Sequence, residues 1–178
     1  MTPQGLYERD LYGWTQETAR LLREGRFEKL DIKNLVEEVE DLGRRERREL
    51  CHRFTAVMEH LLYIAYLTRD PARDGHGWRP SVKEARRRAR DLLKDNPSLK
   101  HELDQLIAKA YSYATLRLER KSELMHREGK ISGAISEEEL PSRCPWTARE
   151  LFEEERYFTR AEIERQAQQM ERPPSYSM

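Results

Sequence analysis

Residues 31–68 read DIKNLVEEVEDLGRRERRELCHRFTAVMEHLLYIAYLT, and this stretch decides the fold. Apolar side chains recur along it at helical intervals, as in the series Val39, Leu50 and Leu61, so that at about 100° per residue they share one face. Asp31 supplies a side-chain oxygen suited to an N-cap. The spacing therefore predicts one long helix over the whole stretch, with an apolar face that begins with Ile32, Leu35, Val36, Val39 and Leu42.

The charges of this helix reverse at Gly43. The segment EEVEDLGRRERRE places acidic residues before the glycine and mostly arginines after it. Glu40 with Arg44, and Asp41 with Arg45, stand four residues apart in the favourable order, and each such pair stabilises a helix by about 0.2–0.5 kcal/mol. They offset part of the roughly 1 kcal/mol that an interior glycine costs. The reversal is therefore explained as helix support, and Gly43, which points into the apolar face, is predicted to mark a close approach or a kink.

Start and stop signals elsewhere in the chain predict several further helices. Gly25 is suited to end the first of them. Ser81 with Glu84, and Thr147 with Glu150, have the spacing of a capping box, in which each side chain accepts a hydrogen bond from the other residue's backbone amide. The predicted segments are 3–24, 81–95, 98–125, one turn at 136–140, a short helix after residue 147, and 161–170.

Length and composition agree with an all-α protein. The 178 residues can bury one core, charged residues make up 37%, and only eight residues are glycine, which is typical of long helices rather than of sheets with recurrent turns. We predict an irregular helical bundle with two long helices and several shorter ones. Residues 1–158 are expected to form this single domain. Residues 159–178 are expected to form a C-terminal extension whose last residues, RPPSYSM, are disordered.

The overall charge excludes strong long-range attraction to nucleic acid or to an anionic membrane, since 33 basic and 33 acidic side chains give a formal charge of zero. The first residues lack the features of a secretory signal, and no run approaches the ~18 apolar residues of a membrane span. Cys51 and Cys144 stand far apart, which indicates neither a disulfide framework nor a metal knuckle. We expect a cytoplasmic protein without membrane association or cofactor.

One predicted helix nevertheless carries a basic stripe. In the segment WRPSVKEARRRARDLLK, basic residues align on one face, where they could neutralise phosphates. Glu84 and Asp91 interleave with them, so a solvated helix surface is the competing interpretation. The candidate nucleic-acid-binding residues are Lys83, Arg86, Arg87, Arg90 and Lys94.

Signals for catalysis or metal binding are weak. The sequence has no HExxH motif, no phosphate-cradling glycine loop and no serine in a sharp glycine-flanked turn. Neither cysteine has a neighbouring cluster that would lower its pKa. The acids before Gly43 mostly point away from the apolar stripe, which favours a solvated surface, and no metal ligand is assigned. A small metal-dependent site would have to be built on Asp10, Glu38 and His60.

Several short motifs occur in an ordered set along the chain. They are LYERDLYGW at 6–14, LDIKNLVEEVEDLG at 30–43, HLL at 60–62, WR at 78–79, NPSL at 96–99, AYSYA at 110–114 and LPSRCPWT at 140–147. The set resembles an uncharacterised bacterial family, domain of unknown function 29, over residues 6–158. The resemblance implies an all-helical cytoplasmic protein, with no assigned activity and no catalytic residues to transfer. Leu140 stands where the family pattern usually has an aromatic residue.

Some polar and aromatic residues of these motifs are not needed to form helices, and they are predicted to converge in one polar cluster. The predicted members are Asp10, Trp14, Asn34, Glu38, His60, Trp78 and Arg79. If buried, such a cluster must be fully hydrogen-bonded, and that requirement could by itself account for these residues.

Three functions are compatible with these features. The one favoured is a non-enzymatic module that binds another protein through a helix face. The alternatives are nucleic-acid binding through the basic stripe, and a metal-dependent or small-molecule enzyme built on the polar cluster. No catalytic residue is assigned, and the sequence does not determine the oligomeric state.

Overall fold

The fold is all-α, as predicted. A computed structural model describes residues 3–69 and 75–171, and within these ranges no strand occurs. Four short 3-10 helices, at Phe27–Lys29, Gly75–Gly77, Pro97–Glu102 and Glu137–Glu139, separate the longer elements. The α-helices in chain order are α1 Pro3–Arg9, α2 Leu11–Arg23, α3 Ile32–Tyr66, α4 Arg79–Asp95, α5 Leu103–Arg127, α6 Ala148–Phe152 and α7 Arg160–Glu171. The two long helices of the prediction are α3, with 35 residues, and α5, with 25.

The chain divides into two compact units, Met1–Glu46 and Arg47–Met178. Helix α3 contributes its first turns to one unit and its later turns to the other. The sequence predicted one domain over 1–158.

In the unit Met1–Glu46, the predicted first helix is interrupted at Asp10, so the prediction of one helix up to Gly25 was wrong. The Asp10 carboxylate accepts a hydrogen bond from the Gly13 amide at 2.8 Å, and its backbone leaves the helical region, so that it acts as the N-cap of α2. The end at Gly25 is confirmed by its φ of +68°, a conformation that glycine adopts without strain.

The buried side chains of this unit are few. Trp14, Thr18 and Leu21 line the inner face of α2, and Asn34 is buried on α3. The N-cap predicted at Asp31 is confirmed, because its carboxylate accepts a hydrogen bond from the Asn34 amide at 3.3 Å.

The sequence predicted that Gly43 marks a close approach of another element or a kink. The prediction of a close approach was wrong. A Cβ atom placed on Gly43 would have no neighbouring atom within 4 Å, so no other element of the described chain packs against this position. Helix α3 continues through it from Ile32 to Tyr66.

In the unit Arg47–Met178, the later turns of α3 pack into one apolar core. Several of the core positions on α4 and α5 are occupied by alanine. The core includes Leu50, Phe54, Val57, Met58 and Leu61 of α3, Val82, Ala85 and Ala89 of α4, Leu106, Ala110, Ala114 and Leu118 of α5, and Leu151, Phe158 and Ile163.

The predicted capping boxes had different outcomes. The box at Thr147 is confirmed: its hydroxyl accepts from the Glu150 amide, and the Glu150 carboxylate accepts from the Thr147 amide at 2.9 Å. The prediction of a capping box at Ser81 was wrong, because α4 begins two residues earlier, at Arg79, with Pro80 in its first turn. Proline is accepted there because the first turn of a helix needs no amide donor.

The predicted last helix is confirmed as α7. Ile163 on this helix is fully buried in the core, although the sequence assigned residues from 159 onward to an extension. The disorder predicted for the final residues concerns a segment outside the described part of the chain. Within the described ranges, no helix combines the length and apolar character required to cross a membrane.

Candidate functional site

The predicted polar cluster has four members in the unit Met1–Glu46. Of these, Glu38 and Trp14 are linked through Tyr7, which the sequence did not include. The Tyr7 hydroxyl donates to the Glu38 carboxylate at 2.8 Å, and the Tyr7 ring meets the buried Trp14 ring edge-on, with 5.0 Å between centroids. Hydrogen bonding to the Glu38 carboxylate raises the pKa of Tyr7, because it stabilises the neutral phenol.

The other two members have local structural roles. Asp10 is exposed and caps α2. The side-chain amide of Asn34 donates to the Asp31 carboxylate at 2.6 Å, which satisfies the buried amide within the first turn of α3. This part of the cluster is therefore a set of helix-end and helix-contact interactions rather than an open site.

The remaining three members lie in the unit Arg47–Met178, where aromatic contacts hold them. His60 and Trp78 each contact the Tyr63 ring, at centroid distances of 5.7 and 5.5 Å. Arg79 lies over the Tyr157 ring at 4.7 Å. His60 Nδ1 is 2.7 Å from the Ala56 carbonyl oxygen of its own helix, the usual partner of a half-buried helical histidine. Within the described ranges, no three histidine, cysteine, aspartate or glutamate side chains lie close enough to hold a metal ion.

The basic stripe on α4 needs one correction: Arg86 is fully buried and cannot contact a phosphate. Its guanidinium donates to the carbonyl oxygens of Leu151, Glu154 and Arg156, at 2.8, 3.0 and 2.9 Å. Burial lowers the pKa of Arg86 to about 10, because it disfavours the charged form, while the three carbonyls satisfy the donors. The residue ties α4 to the last turn of α6 and to the segment that follows it.

The exposed members of the stripe are largely neutralised by neighbouring acids. Arg87 pairs with Glu84 and Asp91, both at 2.9 Å. Lys83 pairs with Glu155 at 2.9 Å, and Arg90 pairs with Glu154. Lys94 is exposed and forms no ion pair within the described residues. A phosphate backbone would therefore have to displace several carboxylates from this surface, which lowers the favourable electrostatic free energy of binding.

An open pocket of about 910 Å³ lies between α5 and the segment that leads into α6. The sequence motif LPSRCPWT supplies one wall, and this motif was the only signal for the pocket. Burial raises the pKa of the Cys144 thiol to about 12, so the thiol is protonated at neutral pH and is no nucleophile. The walls include Ile107, Tyr111, Leu140, Cys144, Trp146 and Ala148. The Tyr111 hydroxyl is used structurally, since it donates to the Pro141 carbonyl at 3.0 Å.

The largest departure from expectation is an apolar face that the protein leaves uncovered. Ile32, Val36, Val39 and Leu42 are 54, 51, 58 and 60% exposed, although they have the same helical spacing as the core residues further along α3. We call these four residues the α3 apolar face. The sequence placed these four residues, together with Leu35, on one apolar face of the predicted helix; Leu35 is half-buried, whereas the other four are exposed.

The α3 apolar face is exposed because the residues that contact this part of α3 do so on a different flank of the helix. Tyr7 of α1 reaches Glu38, which is about 100° around the helix from Val39, and the buried Asn34 points to the same flank. The α3 apolar face therefore remains open to solvent. Exposed apolar residues also occur nearby in sequence, at Leu11, Tyr12, Leu22 and Phe27.

Charged side chains border the α3 apolar face. Arg44 pairs with Glu40 at 3.0 Å and with Asp41 at 2.7 Å, within the helix. Glu37 and Arg45 are exposed and form no ion pair within the described residues. An apolar centre with a charged rim is the usual composition of a protein-binding surface.

These observations define an all-helical protein with an uncovered apolar helix face and, within the described ranges, no group of side chains that could hold a metal ion. Comparison with family models identifies its relatives: the model described as Domain of unknown function DUF29 matches residues 6–157, and the chain belongs to this family. The resemblance of its sequence motifs is thereby confirmed. No curated protein and no solved structure matches the chain. The description of the family assigns no function.

Proposed function

We propose that this protein is a non-enzymatic interaction module of the bacterial cytoplasm, which binds another protein through the α3 apolar face. The observation that carries the proposal is the exposure of four large aliphatic side chains on consecutive turns of one helix. Isolated exposed apolar residues are ordinary on protein surfaces, whereas a contiguous patch is typical of an interaction site.

The energetics support this proposal. Removing apolar surface from water contributes roughly 25 cal/mol per Å². A helix face with apolar residues at intervals of three and four residues is a common recognition element, because it can lie in a groove or against another helix. The charged border is suited to orient a partner, since rim charges contribute specificity and association rate.

The other candidate sites give less support to catalysis or to nucleic-acid binding. The Cys144 thiol in the open pocket is protonated at neutral pH, and His60 contacts a backbone carbonyl of its own helix. On α4, Arg86 is buried and its exposed neighbours are mostly paired with acids. These features favour protein binding over catalysis or nucleic-acid binding.

The experiment is site-directed photo-crosslinking from the α3 apolar face in the host cell. A photoreactive amino acid replaces Val36, and the cross-linked species are identified by mass spectrometry with and without nuclease. The matched control places the same amino acid at Leu116 of α5, an exposed aliphatic residue outside the α3 apolar face. A protein cross-linked only from position 36, and lost in the Val39→Asp variant, supports the proposal.

Other results contradict the proposal. Equal cross-linking from positions 36 and 116 would show that the α3 apolar face is not selective. A cross-linked species that disappears on nuclease treatment would favour the nucleic-acid alternative, and no cross-linked species from position 36 would leave the face without a protein partner.

A further inference from the structure

The open pocket between α5 and the segment leading into α6 has an acidic rim. Three exposed acids line it and form no ion pair within the described residues: Asp104, Glu137 and Glu138. The neighbouring Glu139, in contrast, pairs with Arg160 at 3.2 Å. Arg143 is the only basic residue that lines the pocket in the described part of the chain. The rim therefore carries uncompensated negative charge, which attracts a cationic group.

The wall of this pocket is largely apolar and partly aromatic. Tyr111 and Trp146 line it, and their rings meet edge-on with 6.2 Å between centroids. Leu140 and Pro141 lie in the same wall. Aromatic-lined grooves are common binding sites for proline-containing segments, because such segments are extended before they bind and lose little conformational entropy. The pocket therefore suits a ligand in which prolines stand beside a positive charge.

The residues that follow α7 have this chemistry. Helix α7 extends to Glu171, and residues 172–178 read RPPSYSM. Arg172 supplies a positive charge next to two prolines, whose rings fix the backbone angle that an extended polyproline segment requires. Tyr176 adds an aromatic side chain. The segment thus combines the charge and the apolar groups that the pocket suits.

The end of α7 lies at the pocket. Ile163 is buried in the core, and the Gln166 side-chain amide donates to the Glu150 carboxylate of α6 at 2.6 Å, so α7 is held beside α6. One turn after Gln166, the exposed Met170 lines the pocket. An extended chain advances about 3 Å per residue, so residues 172–176 span roughly 15 Å. The segment therefore begins beside the pocket and is long enough to enter it.

We propose that residues 172–178 of this chain bind in the pocket, with Arg172 at the acidic rim and the prolines and Tyr176 against the apolar wall. Because the segment is attached to α7, its effective concentration at the pocket is on the order of millimolar, so weak contacts are sufficient. A ligand of similar chemistry would then have to displace the segment before it could bind. This inference goes beyond the proposed function and does not depend on the α3 apolar face.

The test is photo-crosslinking within the purified full chain at low micromolar concentration. A benzophenone amino acid replaces Tyr176, which it resembles in shape. Mass spectrometry after proteolysis identifies the cross-linked residues, and the mass of the intact product distinguishes a monomer from a dimer. The expected product is a monomer in which position 176 is cross-linked to residues 104–115 or 137–148.

Filling the pocket should prevent this cross-link. Ala108 is exposed and lines the pocket, so Ala108→Phe occupies part of its volume without removing a core side chain. The yield of the cross-linked monomer should fall several-fold. Gln105→Phe is the matched control, because Gln105 is exposed on the same helix but does not line the pocket. This variant should give the yield of the parent protein.

Charge reversal tests the acidic rim. Arg172→Glu places an acid beside acids, and the pair Glu137→Lys and Glu138→Lys places bases beside a base, so each change should lower the yield about fivefold. All three substitutions together restore opposite charges and should recover most of the yield. Circular dichroism verifies that every variant is folded.

The outcomes decide the proposal. A cross-linked monomer supports it if Ala108→Phe and the charge reversals lower the yield and the combined reversal restores it. Cross-links spread over the surface, no cross-link, or a yield that these variants leave unchanged would overturn it. A dimer cross-linked through the same residues would also overturn it, because the segment of a second copy would then occupy the pocket.

Discussion

The Arg86 guanidinium donates from Nε to the backbone carbonyl of Leu151 at 2.8 Å, across 65 positions of sequence. Its other nitrogens donate to the carbonyls of Glu154 and Arg156, so that one side chain satisfies three acceptors at the end of α6 and in the segment after it. The rigid fork of a guanidinium suits this task, whereas the single ammonium of lysine does not. Arg86 is therefore a structural residue within a stripe of surface charges.

Replacing Arg86 should be strongly destabilising. Arg86→Ala leaves three carbonyls with no donor in a buried site, and we expect a loss of about 3–5 kcal/mol in the free energy of unfolding. Arg86→Lys should retain only part of this stability. Arg87→Ala, one residue further along and exposed, is the control and should change the free energy by less than about 0.5 kcal/mol. Urea unfolding measures the differences, and similar losses for Arg86→Ala and Arg87→Ala would contradict the structural role.

Cys144 should react slowly with thiol reagents in the folded protein. Burial raises its pKa to about 12, so that at pH 8 only roughly one molecule in ten thousand carries the thiolate. The alkylation rate, followed by mass spectrometry, should rise about tenfold per pH unit up to pH 10. The protein unfolded in denaturant is the control and should react at the rate of an ordinary cysteine. A rate that levels off near pH 7 would instead indicate an activated thiol.

Because of Tyr111, the free energy of unfolding should decrease with pH in the alkaline range. Burial raises its pKa, so the folded state favours the neutral phenol; this contribution is complete below the ordinary pKa of about 10 and is lost as pH rises through the raised value. Wild-type stability should therefore fall more steeply above pH 10 than that of Tyr111→Phe. At pH 7 the same variant should lose about 1 kcal/mol, since it lacks the hydrogen bond to Pro141.

The control for this prediction is Tyr113→Phe, which removes an exposed hydroxyl two residues away. Its stability should follow that of the wild type at both pH values. If Tyr111→Phe and the wild type lost stability in parallel above pH 10, the raised pKa of Tyr111 would be disproved.

Two glycines should respond in opposite ways to alanine. Gly43 lies inside a helix with open space around it, so Gly43→Ala should stabilise the single chain by about 0.5–1 kcal/mol. Gly25 has a φ of +68°, so Gly25→Ala should destabilise it by about 1 kcal/mol. Thermal unfolding compares the two variants with the wild type. A loss of stability in Gly43→Ala would indicate packing against this site in the single chain.

Local signals predicted much of the secondary structure. The Thr147 capping box, the end of α2 at Gly25 and the extent of α3 followed from interactions between residues a few positions apart. A capping signal was missed at Asp10. Its side chain accepts a hydrogen bond from the Gly13 amide and so interrupts a helix that the apolar pattern alone would continue. Of the candidate site, Glu38 was predicted, whereas its partner Tyr7 was not.

The sequence by itself determined that the chain is helical, where most of its helices lie, and to which family it belongs, because periodicity, caps and motifs are local properties. Only the tertiary structure decided which apolar and charged residues are covered. Val39 and Leu50 have the same spacing on one helix, yet Leu50 is buried and Val39 is exposed. Arg86 and Arg87 are neighbours in one basic run, yet only Arg86 is buried. Burial depends on segments distant in sequence, and no local pattern contains that information.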